Sequence, residues 1–150
     1  MPLTLRIFVL ADTHDKLPGK IETLAAGADE IWHLGDVCDP GILQAMESFG
    51  PPITVVRGNC DGNLDWPLSM DLKRNGVRCR LVHIPPDAVP DNVDVVLHGH
   101  THVPRNERMA GVRFLNPGCV TRPNRGAPAS VANLEITADG KLNWRMVSLR

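Results

Sequence analysis

Four short apolar runs in this chain each break off at a polar cluster, and that punctuation constrains the fold more than any other feature of the sequence. Arg6-Ile7-Phe8-Val9-Leu10-Ala11 stops at Asp12-Thr13-His14-Asp15, and Glu30-Ile31-Trp32-His33-Leu34 stops at Gly35-Asp36. Ile53-Thr54-Val55-Val56 stops at Arg57-Gly58-Asn59-Cys60-Asp61, and Val93-Asp94-Val95-Val96-Leu97 stops at His98-Gly99-His100-Thr101-His102. Runs this short and rich in β-branched residues suit strands covered on both faces. Between them, Pro18 to Ala28 sets Ile21, Leu24, Ala25 and Ala28 at i, i+3, i+4, i+7, and Pro40 to Phe49 sets Ile42, Leu43, Met46 and Phe49 in similar spacing, which predicts helices. Strand and helix alternating in this way predict a parallel α/β sheet.

The second half reads differently. Val77 to Ile84, Val112 to Leu115 and Ser130 to Thr137 have strand character, and Lys141 to Leu149 follows the hairpin signal Ala138-Asp139-Gly140. A mixed sheet or two packed sheets is therefore expected, with antiparallel strands toward the C-terminus. Asn116 to Ala129, with Pro117, Gly118, Pro123, Gly126 and Pro128, is expected to be a loop. No repeat or linker divides the 150 residues, so one domain over 1–150 is expected.

Composition narrows the function. The hydrophobic share of 43% and charged share of 22% are those of an ordinary globular protein. A formal net charge of -1 gives no electrostatic attraction to a nucleic-acid backbone or an anionic membrane. The absence of Tyr and the 4% aromatic content argue against a base-stacking platform. No apolar stretch approaches the roughly 20 residues of a membrane helix, and the run ending at Ala11 does not read as a signal peptide, so the cytoplasm is expected. The four cysteines, Cys38, Cys60, Cys79 and Cys119, form no Cys-x-x-Cys pair, and reduced thiols are expected in that compartment.

In open α/β sheets the ligand site lies beyond the carboxyl ends of the strands. Here those ends carry Asp12 and His14, Asp36, Asn59, and His100 and His102. Each pair lies two residues apart, so locally extended backbone is expected to turn both members to one side. Imidazole nitrogens with carboxylate and amide oxygens suit Mn, Fe, Zn, Co or Ni better than Ca. A phosphate-directed protein without basic excess needs another source of positive charge, and bound cations supply one. Any one of these motifs alone is weak, since Asp12 in isolation reads as a helix cap and Asp36 as a loop carboxylate. Their recurrence at strand exits is what points to a site.

Taken in order, Asp12-Thr13-His14, Gly35-Asp36, Gly58-Asn59-Cys60-Asp61, His83, Gly99-His100-Thr101-His102 and Asn116-Pro117-Gly118-Cys119 resemble the calcineurin-like metallophosphoesterases, and among them the small bacterial and archaeal phosphodiesterases. The resemblance covers about Leu5 to Cys119. It implies a single-domain, four-layer α-β-β-α sandwich and a cytoplasmic hydrolase with a binuclear centre for two divalent transition metals, manganese first. Carried over by position, one metal is held by Asp12, His14, Asp36 and His102, and the other by Asp36, Asn59, His83 and His100. Asp36 bridges them, and Asp36 and Asn59 are the catalytic pair. The expected reaction is hydrolysis of a small phosphate ester, most simply a phosphodiester, by a hydroxide formed between the metals. Homo-oligomers are usual among similar proteins.

The chain departs from the family pattern in places. Many members carry a histidine after the metal-binding asparagine to help the leaving group, and Cys60 stands there. A thiol is a poorer general acid than imidazolium near neutral pH, so esters with acidic leaving groups are the expected substrates. Ile84 follows His83 where the family usually has Gly, and the Pro-rich stretch Pro85 to Pro90 takes the place of a helix, which leaves His83 open to being a core histidine. His98 and His33 read as structural. Cys60, Asn116 and Cys119 are candidates for substrate contact, while Arg122 and Arg125 read as solvated. Two rival functions fit the same motifs: a phosphomonoesterase or nucleotidase, and a catalytically weak scaffold on the same fold.

Overall fold

The structure is a computed structural model, and it describes residues 3–149. Along the chain lie β1 (Leu5–Leu10), α1 (Lys20–Ala25), β2 (Glu30–His33), α2 (Gly41–Glu47), β3 (Ile53–Val55), β4 (Ser69–Arg74), β5 (Val77–Val82), β6 (Val95–Leu97), β7 (Arg105–Met109), β8 (Val112–Asn116), β9 (Ser130–Ile136) and β10 (Leu142–Ser148). They form two five-stranded sheets, one in the order β10-β9-β1-β2-β3 and the other β4-β5-β6-β8-β7. β1, β2 and β3 run parallel, as do β5, β6 and β8. Antiparallel strands flank each parallel core, so both sheets are mixed.

Side-chain alternation explains the stacking. In β1 and just beyond it, Ile7, Val9 and Ala11 join Trp32, Leu34, Cys79, Leu81, Val95, Leu97 and Leu115 in the core between the sheets. The alternate residues Phe8 and Leu10 point the other way, onto Ile21 and Ala25 of α1 and Ile42 and Met46 of α2. The outer face of the second sheet buries Val96, Val112 and Phe114 with Val93, against which Val82 and Val89 pack. Its cover is the irregular segment of residues 83–94, as the prolines there predict, so the fourth layer of the sandwich carries no helix.

Two strands were not legible from apolar periodicity. β4 and β7 are the edges of the second sheet and are largely exposed or half-buried along their length. Edge strands bearing Arg, Lys, Asp and Glu avoid pairing with other chains, and this erases the apolar signal. The readable cue was the turn. Asn75 and Gly76 have φ of 47° and 82°, and Ala110 and Gly111 have 49° and 82°. Each pair closes a two-residue hairpin of the primed type, for which Asn-Gly is the strongest short signal.

The expectation of four thiols is corrected. Cys38 and Cys60 are joined by a disulfide across 22 residues of sequence, whereas Cys79 and Cys119 are free and buried. The reason is topological: the loops after β2 and β3 leave adjacent parallel strands at the same end, which brings the Cα atoms within 5.7 Å. Closing a loop of that length restrains the unfolded chain by about 3 kcal/mol. Burial also pushes the Cys79 thiol up to about 12, far from reactive thiolate. A thiol reagent is therefore expected to find no reactive group in the native protein, two after unfolding and four after unfolding with reduction. Four thiols on unfolding without reductant would remove the disulfide.

Candidate metal centre

The parallel strands of both sheets end on one rim. Asp12 and His14 follow β1, Asp36 and Cys38 follow β2, and Asn59 to Asp61 follow β3. His83 follows β5, His100 and His102 follow β6, and Asn116 ends β8. The backbone there is not extended, contrary to the expectation from the paired spacings. Asp12, His14, Asp36, His100 and His102 have φ of 58°, 46°, 58°, 75° and 63°. For residues with a Cβ that is the left-handed region, which costs of order 1 kcal/mol or more each and concentrates at functional sites. The chain turns sharply at each donor, and side chains converge that straight strands would have splayed.

The donors form two overlapping groups. Atoms from Asp12, His14, Asp36 and His102 all lie within 4.8 Å of one another. In the other group, His83 Nε2 lies 3.0 Å from Asn59 Oδ1 and 3.3 Å from Asp36 Oδ2, and His100 Nδ1 lies 3.1 Å from Asn59 Oδ1. All seven positions picked out by sequence are thus brought together. His83 is buried, but its ring spans from the core to the rim: Nδ1 donates to Leu34 O at 2.8 Å and leaves Nε2 facing the oxygens. His102 is fixed the same way, with Nδ1 donating to Arg122 O at 2.7 Å. A carbonyl on the far nitrogen is how a ligating imidazole is usually oriented.

Burial and charge pull the two carboxylates apart. Burial raises the Asp12 carboxyl to about 6, with His83 and His102 offsetting part of the rise. For Asp36 burial also acts upward, but the His83 hydrogen bond and the Cys60 N–H, which donates to Oδ1 at 2.9 Å, outweigh it and hold the group at about 2. Burial lowers His14 and His100, which favours the neutral imidazole, the form that ligates metals.

Asp12 Oδ1 is buried and has no hydrogen-bond partner among the described residues. Its nearest polar neighbours are His102 Nε2 at 3.5 Å and the Nε2 atoms of His14 and His83 at 3.9 Å each. His14 Nε2 in turn faces His102 Nε2 at 3.4 Å. A carboxylate oxygen left without a partner in a buried site is costly, and a cation among these imidazole nitrogens would satisfy it. The mixed nitrogen and oxygen set fits divalent transition metals.

Asp61 is the supporting residue that sequence reading passed over. Its Oδ2 accepts from the N–H of Asp36 at 2.9 Å and of Gly58 at 2.7 Å, and its Oδ1 accepts from Cys38 N–H at 2.9 Å. One carboxylate thereby locks the loop of Asp36 to the loop of Asn59. Its place in Gly58-Asn59-Cys60-Asp61 was the available signal. Of the three candidates for substrate contact, Asn116 and Cys119 are corrected by their burial. Asn116 is fully buried, and its Nδ2 donates to Gly99 O and Thr101 Oγ1 beneath the His100–His102 loop. Cys119 is fully buried, and its Sγ donates to Asp12 O at 3.4 Å. Cys60 is exposed but bound to Cys38, so it has no thiol proton to give. The Cys38 sulfur also touches His14 Nδ1 at 3.5 Å.

His33 and His98 are structural, as expected. His33 takes the Gly35 N–H on Nδ1 and meets Thr13 Oγ1 at 3.1 Å through Nε2, and burial drops it to about 3. His98 donates from Nδ1 to Gly99 O and accepts from Arg105 on Nε2, and burial lowers it to about 4.

Comparison with known proteins identifies the family. Residues 5–139 match the calcineurin-like phosphoesterase superfamily domain. The chain is 29% identical to phosphodiesterase YfcE of Escherichia coli K12 over 161 residues, which covers 87% of this chain and 88% of that protein. It is 30% identical to the probable metallophosphoesterase MJ0623 of Methanocaldococcus jannaschii, covering 97% of this chain and 82% of that one. Among solved structures, vacuolar protein sorting 29 of Cryptosporidium parvum superposes with a TM-score of 0.76 at 21% identity, with 97% of each chain covered. With residues 5–139 of the 150 matched to that domain, and His and Asp side chains that could hold a metal gathered on one rim, the chain belongs to the calcineurin-like phosphoesterase superfamily.

Proposed function

We propose that the protein is a phosphodiesterase that works with two divalent transition-metal ions, manganese being the first to test. The observation that carries this reading is the buried, unpartnered Asp12 Oδ1 among imidazole nitrogens. Asp12, His14, Asp36 and His102 would hold one ion, and Asp36, Asn59, His83 and His100 the other. Bound there, the ions supply Lewis acidity to phosphoryl oxygens and a lowered pKa for water.

The chain's own contribution is positioning. The Cys60 N–H holds Asp36 Oδ1, and Leu34 and Arg122 carbonyls fix the rings of His83 and His102. Donors held by backbone need little reorganisation as charge moves among the phosphoryl oxygens. What the rim does not offer at Cys60 is a proton for the leaving group, because that sulfur is in a disulfide. A departing alcohol must then leave as the anion or take its proton from solvent, which favours acidic leaving groups.

With manganese, the protein is expected to bind two ions per chain and to hydrolyse bis(p-nitrophenyl) phosphate. Excess chelator should abolish the activity. The kcat/KM for aryl esters should exceed that for simple alkyl esters by about 100-fold or more, the scale of one lost general acid. Two bound ions without turnover would favour a scaffold on the same fold. A clear preference for one nucleoside monophosphate would favour the monoesterase.

A further inference from the structure

Large apolar side chains left in water are not spread evenly over this protein. Among the described residues, the exposed ones are Leu3, Leu64, Leu68, Ile84 and Met109. Three of the five, Leu64 at 79%, Leu68 at 62% and Ile84 at 56% exposure, line the same cavity of about 710 Å³. Its walls also include Asn59 and His83, so its inner end is the candidate metal centre itself. The loop that presents Leu64 and Leu68 is held in shape: Arg57 N–H donates to Pro67 O at 2.7 Å, Trp66 N–H to Asn63 O, and Asp65 N–H to Asn63 Oδ1. A second cavity of about 490 Å³ is lined by His100, Thr101, Arg105 and Arg125 together with Val103 and Pro104. Arg57 and Asp61 also line the first recess, but the exposed Leu64, Leu68 and Ile84 gather there and none of the large exposed apolar side chains lines the second.

From this clustering of exposed apolar side chains beside the donors we infer that the Leu64–Leu68–Ile84 recess receives an apolar ester arm of the phosphodiester, while the phosphoryl group lies at Asn59 and His83. Surface leucines and isoleucine gain nothing from water but gain when apolar area covers them. A recess of this volume is of the size that takes an aryl or medium-chain alkyl group. Its continuity with two of the donors names the occupant: the covering group must be attached to whatever those donors hold. The substrate class is thus a diester of an apolar alcohol, not a diester of two sugars. The inference rests on the phosphodiesterase reading.

The test varies one arm and keeps the chromophore. On manganese-loaded protein, hexyl p-nitrophenyl phosphate is expected to exceed methyl p-nitrophenyl phosphate in kcat/KM by about 30-fold, less than the roughly fourfold per methylene of complete burial because the recess is open. The Leu64→Ser, Leu68→Ser, Ile84→Ser triple variant, altered only at exposed positions, should reduce that ratio to within about threefold. Calorimetric binding of hexyl methylphosphonate, which is not turned over, should show a more negative heat-capacity change than the methyl analogue, and the variant should lose the difference. Turnover of both esters at equal efficiency, with equal heat-capacity changes, would overturn the subsite and leave the enzyme reading standing. Absence of turnover on either ester would overturn both. A native dimer that becomes monomeric in the triple variant, without chain-length dependence, would assign the patch to a second copy of the chain and overturn the inference.

Discussion

Asp36→Ala is expected to lower kcat/KM by about 1,000-fold or more, of order 4 kcal/mol of transition-state stabilisation, and to cut the bound metal below two ions per chain. The size follows from how much converges on this side chain. Its Oδ1 takes the Cys60 N–H at 2.9 Å, its Oδ2 lies 3.3 Å from His83 Nε2, and it belongs to the group with Asp12, His14 and His102. Asp36→Asn separates charge from shape, because the amide oxygen still accepts from Cys60 but carries no net charge. Its melting temperature is expected near that of the native protein while its turnover falls with that of the alanine variant. Activity above a tenth of the native value in Asp36→Ala, with metal content unchanged, would remove Asp36 from the centre.

The second large effect is on stability. A Cβ at Gly58 would fall 2.2 Å from Asp36 Oδ1, 2.3 Å from Asp36 N and 3.0 Å from Asp36 Cα. Two of those atoms are backbone, held in place by Asp61 through the N–H groups of Asp36, Cys38 and Gly58 itself, so nothing flexible can yield. Gly58→Ala must push the loops of Asp36 and Asn59 apart and break at least one of those bonds. A loss of about 4 kcal/mol is expected, from overpacking plus buried N–H groups left without acceptors. At roughly 2–4 °C per kcal/mol, that is a fall of about 8–16 °C in Tm. Gly62→Ala is the matched control, since nothing lies within 4 Å of its added Cβ. If the two variants melted within about 2 °C of each other, the close approach at Gly58 would not be a real constraint.

What the sequence disclosed and what it hid have physical reasons. Asp12, Asp36, Asn59 and the His100–His102 pair were legible because each follows an apolar run too short for anything but a covered strand, and those runs did become β1, β2, β3 and β6. His83 was harder to read, because Val77 to Ile84 looks like a core strand. The ring does sit in the core, and only the third dimension shows its Nε2 emerging beside Asn59 and Asp36. β4 and β7 stayed hidden because edge strands carry charge where core strands carry apolar residues. The Cys38–Cys60 bond was hidden because 22 residues of separation say nothing until β2 and β3 are known to be neighbours. The left-handed backbone at five donors contradicts the extended geometry that two-residue spacing implies. Local propensity gives way there to the demands of convergence.

The seven donors are divided between the sheets: Asp12, His14, Asp36 and Asn59 come from loops of one, and His83, His100 and His102 from loops of the other. The seam between the two halves of the sandwich therefore opens directly onto the donor rim. A cation lodged there would act as a rivet, with the apolar layer underneath bearing the load. Stripping it with a chelator should leave the far end of the sandwich closed and let the near end breathe, so that the loops best placed to admit an ester are also those most loosened by losing the ion.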